Sequence, residues 1–169
     1  MNPAQPAKDE APSLKGNKRV PRVLHLMWDY PDTAPDLVTA CLKSWRDLNY
    51  GWDIYVWDDF EARRARSHFT RLQLPVQATS DCLRLKKLSE TGGVWVDATV
   101  FPIAPLDEWI DDALGPYGFF APSAPGPDRL VSSWFIAAEQ DSPVIDTWKA
   151  AAEIYWNGKH AAVLELTDY

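Results

Sequence analysis

The stretch Gly92–Phe101, GGVWVDATVF, constrains this chain more than any other. The residues before it, SDCLRLKKLSETGG, place Cys82, Leu85 and Leu88 at a three-residue spacing, which is the core face of a helix beginning at Thr79 or Ser80. Gly92 is suited to the C-cap of that helix. Val94, Trp95 and Val96 then form a short apolar run of the kind a fully buried strand requires. The run stops at a single carboxylate, Asp97. Pro102 and Pro105 forbid a long continuation and suit an edge or a turn.

The pattern around this unit repeats its logic. RVLHLMW, ending at Trp28, is a β-rich apolar run, and the loop DYPDTAP follows it. Pro35 is placed for the first turn of a helix, on which Leu37, Cys41, Trp45 and Leu48 recur along one face. WDIYVW alternates at period two and reads as a strand, closed by Asp58 and Asp59, which are positioned to cap the helix FEARRARSHF. YGFFAP and SSWFIAAE read as two further strands around a Pro/Gly loop. Ser142 and Pro143 open a last helix through Trp156, with Val144, Trp148, Ala152 and Tyr155 on one face. Strands alternating with helices predict an α/β layered fold with a mainly parallel sheet flanked by helices.

A chain of 169 residues suffices for one domain with a core. Residues 1–19 are rich in Pro, Ala, Lys and acids without periodicity, and are expected to be a disordered leader to a single domain over 20–169. The net charge of −7 argues against a nucleic-acid partner, whose footprint on a protein is basic. Cys41 and Cys82 lie inside apparent helices without metal-type spacing, as buried reduced thiols do. No apolar run is long enough for a membrane span and no signal-peptide core is visible, so a cytoplasmic protein, soluble or peripheral to the membrane, is expected.

In open α/β sheets, ligands bind beyond the carboxyl ends of strands, where Asp97 falls. Asp81 and Arg84 share a face of the preceding helix at i and i+3. An Arg–Asp pair is suited to gripping vicinal hydroxyls, and an acid facing diphosphate oxygens calls for a hard divalent cation between them. The bland alternatives are equally compatible with spacing alone. Asp81 and Arg84 can form a surface ion pair of little worth, and Asp97 can be an Asx-turn residue. Of the nine Trp residues some must be core rings, while others are available to line a site that stacks planar groups. Ser132 and Ser133 are weaker candidates, beginning a strand that faces the pocket. His25 reads as a hydrogen-bonded core residue, and His68 and His160 have no partners at metal spacing.

The block TSDCLRLKKLSETGGVWVDATVFPIAPLDEWI resembles the capsular polysaccharide synthesis protein family of glycosyltransferases, relatives of the transferases that carry a D-x-D motif. VPRVLHLMW, SWRDLNYGWDIYVWDD and VSSWFIAAEQDSPVIDTWKAAAEIYW extend the resemblance in order, from Val20 to Tyr169. It implies a GT-A-like fold and transfer of a sugar from a nucleoside-diphosphate sugar, with Mn²⁺ or Mg²⁺, to a glycan or polysaccharide acceptor. In that comparison Asp97 takes the place of the first motif acid, at the metal and the donor. Thr99 stands where D-x-D relatives carry the second acid, although the capsular subfamily commonly reads D-A-T. Asp81 and Arg84 match the S-D-x-x-R element that holds the donor sugar, and Trp28 matches the aromatic that stacks on the base. LELTDY resembles the start of a D-Y-F-x-x-H segment that continues in relatives, so the domain is expected to be incomplete at its C-terminus relative to them. Partners implied are the donor, the glycan acceptor and membrane-bound assembly machinery.

Overall fold

The structure is a computed structural model, and it describes residues 20–167. The expected leader, 1–19, lies outside the described residues, as do residues 168–169 and the side chains from His160 onward. A five-stranded sheet forms the centre. In chain order its strands are β1 (Val23–Met27), β2 (Asp53–Trp57), β3 (Gly93–Val96), β4 (Phe119–Phe120) and β7 (Phe135–Ala138), and their spatial order is β2-β1-β3-β7-β4. β1 pairs in parallel with both β2 and β3, whereas β7 is antiparallel to β3 and to β4. Four of the five strands therefore run in one direction, with β7 reversed between them. The mainly parallel α/β fold expected from the alternation of elements is what forms.

Side chains on a strand alternate between faces, and here they build two separate cores. Leu24, Leu26, Val94, Val96, Phe135 and Ala137 point to one face. There they meet Val38, Leu42 and Trp45 of α1 (Asp36–Leu48), and Ile110 and Leu114 of α4 (Ile110–Leu114). Met27, Trp95, Ile136 and Ala138 point to the other. They are covered by α2 (Asp59–Arg66), α3 (Val76–Thr91) and α5 (Pro143–Thr167) through Ala62, Ala65, Leu83, Leu88 and Ile145. A strand buried on both faces has no polar side to show. That is why VWV reads as a continuous apolar run.

Several boundaries differ from the sequence-based expectation. The face of α1 is Val38, Cys41, Leu42 and Trp45, with Leu37 63% exposed, because helical periodicity alone fits either of two neighbouring stripes. On α5 the packed face runs through Ile145, Trp148, Ala152 and Trp156, leaving Val144 and Tyr155 outside it for the same reason. α3 begins at Val76 rather than at Thr79 or Ser80, with Pro75 at its N-cap. The stretch taken as a Pro/Gly loop is a hairpin of β5 (Ser123–Gly126) and β6 (Arg129–Val131), and the short α4 follows a turn that sequence did not reveal. Asp58 caps α2 as expected, its Oδ1 accepting from the Glu61 N–H at 2.9 Å. Cys41 and Cys82 are both buried free thiols. Among the described residues no helix is long and apolar enough to cross a membrane.

Candidate functional site

A cavity of about 600 Å³ opens at the carboxyl ends of β1 and β3. Met27 to Tyr30 bring the chain out of β1 along one side of it, and Asp97 to Thr99 bring the chain out of β3. The first two turns of α3 supply another wall. The Gly-Gly pair makes this convergence possible. Gly92 and Gly93 hold φ of +64° and +91°, and a Cβ on Gly93 would collide with the backbone carbonyl of Val23. Only glycine lets α3 turn into β3 this close to β1.

Beyond β3 the backbone is pinned at three points. The Asp97 N–H donates to the Trp134 carbonyl at 2.9 Å, the Val100 N–H donates to the Asp97 carbonyl at 2.9 Å, and Trp45 Nε1 donates to the Val100 carbonyl at 2.8 Å. The side chain of Asp97 takes no part in this turn. Its Oδ1 accepts from Arg84 Nη2 at 3.0 Å and from Trp95 Nε1 at 3.2 Å. The Asx-turn alternative is thereby excluded.

Arg84 is the pivot of the site. Its side chain is 5% exposed, and it ion-pairs with Asp97 at 3.0 Å and with Asp81 through Nη1. The guanidinium also stands 5.1 Å from the centre of the Trp95 ring. The pair is not a surface ion pair, because the cation is buried and two carboxylates share it. Its Nε is buried and has no hydrogen-bond partner among the described residues. Asp81 and Asp97 are partly open to the cavity, at 56% and 43% exposure. The Asp81 carboxyl is pushed above the ordinary carboxylate range, first by withdrawal from water and next by the neighbouring Asp97, with Arg84 opposing both.

Trp28, Asp81, Arg84, Asp97 and Thr99 thus all line one cavity. Trp28 is half-buried, packing on the core beside α1 while also facing the cavity. Ser133 joins them, but Ser132 is buried elsewhere, and both precede β7 rather than begin it. His25 is a core residue as expected. It is 1% exposed, with Nε2 against Thr91 Oγ1 at 3.0 Å and Nδ1 accepting from Trp57 Nε1 at 3.2 Å. Burial, aided by the Lys87 charge, lowers its pKa to about 4, so it is neutral near pH 7. His68 is exposed and outside the cavity, and the His160 side chain is outside the described residues.

Sequence reasoning missed Asp29, Tyr30, Gln77 and Ser80 in the cavity wall. Gln77, Ser80, Asp81 and Arg84 sit at i, i+3, i+4 and i+7, a polar stripe at helical spacing. It is visible only once α3 is begun at Val76. Asp29 and Tyr30 follow β1 directly, where a strand-end loop is expected to meet ligand. Withdrawal from water, and then Asp59, raise the Asp29 carboxyl, with Arg63 opposing.

The profile of a family described as Capsular polysaccharide synthesis protein matches residues 5–165. O-glycosyltransferase braB of Annulohypoxylon truncatum is 33% identical over 89 residues, which is 48% of this chain and 21% of that protein. The solved structure titled PaToxG Glycosyltransferase superposes with a TM-score of 0.55 at 15% identity, covering 82% of this chain and 62% of that one. The chain therefore spans about a fifth of the length of the first and less than two thirds of the second. At this identity the superposition shows a shared fold.

Proposed function

This chain belongs to the capsular polysaccharide synthesis protein family, and we propose that it is a metal-dependent glycosyltransferase. It would move a sugar from a nucleoside-diphosphate sugar to a glycan or polysaccharide acceptor in capsule or cell-surface polysaccharide assembly. One observation supports this above all. A buried guanidinium is shared by two half-open carboxylates at the strand-end rim of a single large cavity.

In that reading Trp28 stacks on the nucleotide base, since a flat indole already held by core packing loses little entropy on binding. Asp81 accepts from donor-sugar hydroxyls, and Arg84 fixes its orientation. Asp97 faces the diphosphate. Its Oδ1 is occupied by Arg84 and Trp95, which leaves Oδ2 as the oxygen for a cation. The donor set fits a cation held mostly by substrate and water. Asp97 and Thr99 supply hard oxygen atoms, and Mg²⁺ or Mn²⁺ at such sites is commonly bound by one or two carboxylates together with phosphate. When bound, the cation would neutralise charge on the departing diphosphate. In the net reaction an acceptor hydroxyl oxygen bonds to the anomeric carbon, the bond from that carbon to the diphosphate oxygen breaks, and the proton is released with the nucleoside diphosphate. A cytoplasmic position, peripheral to membrane-bound assembly machinery, belongs to the same proposal.

A second reading, donor binding without turnover, is favoured by one observation. Thr99 lines the cavity with a neutral hydroxyl at the position where a second acid would add a charged ligand. Release of nucleotide from a panel of UDP- and GDP-sugars, with and without Mn²⁺, separates the two. Metal-dependent release that Asp97→Ala abolishes is the expected result. Saturable donor binding with no release under any condition would select the binding module instead.

A further inference from the structure

A second, smaller cavity of about 190 Å³ lies between α3 and α5. It is not separate from the first. Asp81, Arg84 and Ser133 line both, so the two are divided only by this shared polar wall. The far side of the small cavity is different in kind, being built from Trp148, Ala152 and Trp156 on one face of α5. Both indoles are only partly buried, although they pack on the core around Phe69 and Leu85.

From this juxtaposition we propose that the α3–α5 cavity is the subsite for one pyranose ring of the acceptor glycan. A pyranose presents an apolar face of C–H bonds and a rim of hydroxyls. It therefore wants a flat ring on one side and a few fixed donors and acceptors at the edge. Trp148 and Trp156 supply the first, and Asp81, Arg84 and Ser133 the second. Ala152, between the two indoles along the helix, has the small side chain that keeps the space open. A sugar lodged there has only the shared wall between its hydroxyls and a donor sugar in the larger cavity. The term acceptor rests on the transferase reading, whereas the sugar site itself does not.

The test is saturation-transfer NMR on the full chain. The probes are methyl glycosides of glucose, galactose, mannose and N-acetylglucosamine, with UDP and GDP titrated separately. Transfer is expected to the ring C–H protons of at least one glycoside. Ala152→Phe fills the cavity without removing a core group and should weaken that glycoside by roughly tenfold or more, leaving nucleotide affinity unchanged. Trp156→Ala is the second variant, so that a folding defect in one, seen as a lowered melting temperature, leaves the other readable. Trp28→Ala should do the reverse, weakening nucleotide and sparing glycoside. The proposal is overturned if no glycoside of the panel receives saturation, or if its affinity survives both cavity variants. Glycoside binding without nucleotide binding would retain the subsite and sink the transferase reading.

Discussion

At the scale of single residues, the site depends on geometry that charge alone cannot replace. Arg84 reaches two carboxylates with two different nitrogens of one planar group. Lysine offers a point charge on a flexible stem and cannot hold both in that arrangement. Arg84→Lys is therefore expected to reduce nucleotide release from the preferred donor by roughly 10²-fold. Its melting temperature should fall as well, because the cation is buried and an ammonium at one point cannot satisfy both carboxylates. Steady-state kinetics beside a thermal melt checks both halves. His25 carries a pH effect of a different kind. Its pKa of about 4 in the folded chain lies below the ordinary value of 6.5, so between these values the unfolded chain binds the proton preferentially. The contribution is fully present above pH 6.5 and is lost as pH falls towards 4, by on the order of 3 kcal/mol at most. Urea titrations at pH 7 and pH 5 should show a steeper loss for the wild type than for His25→Gln.

At the scale of elements, the α3–Gly-Gly–β3 unit fixes everything else. Gly93→Ala places a methyl on the Val23 carbonyl while holding φ at +91°, and it should cost about 3 kcal/mol or more in urea unfolding. Asp58→Ala, removing one cap bond, should cost about 1 kcal/mol by the same measurement. A reversal of that order would mean that the turn relaxes in a way the backbone contacts do not suggest. This unit was legible because its signals agree. Gly92 ends a helix, VWV has apolar residues without alternation, and Asp97 ends the strand. The start of α3 was not legible, since Val76, Gln77 and Ala78 add a turn that contributes nothing to the buried face of the helix, which begins at Thr79. The β5–β6 hairpin was hidden for another reason. It contains Pro125 and a positive φ at Ala124, features that in sequence mark a loop.

At the scale of the whole molecule, the fold class follows from alternation, but the direction of β7 does not. Strand pattern says nothing of polarity, and the reversal of one strand in an otherwise parallel sheet is set by how the chain returns from β4 through the hairpin. The membership of the site was similarly half-visible. Asp81, Arg84 and Asp97 follow from one helix running into one strand, whereas Trp28 and Tyr30 join them only because β1 pairs beside β3. Ligand binding should report on the molecule as a unit. A nucleoside diphosphate at about a hundred times its Kd adds roughly 2.7 kcal/mol, which for a chain of this size is a rise in melting temperature of about 5–10 °C. Differential scanning fluorimetry with UDP or GDP and Mn²⁺, then with EDTA, measures it. A rise that chelation leaves intact would remove the cation from the proposal.

The position of β3 also has a meaning in time. Its four residues are buried on both faces, and it lies between β1 and β7. Amides so placed exchange with solvent only when most of the structure opens. Asp97 begins where that strand ends, so the carboxylate facing the cavity is tethered to the slowest-opening part of the chain.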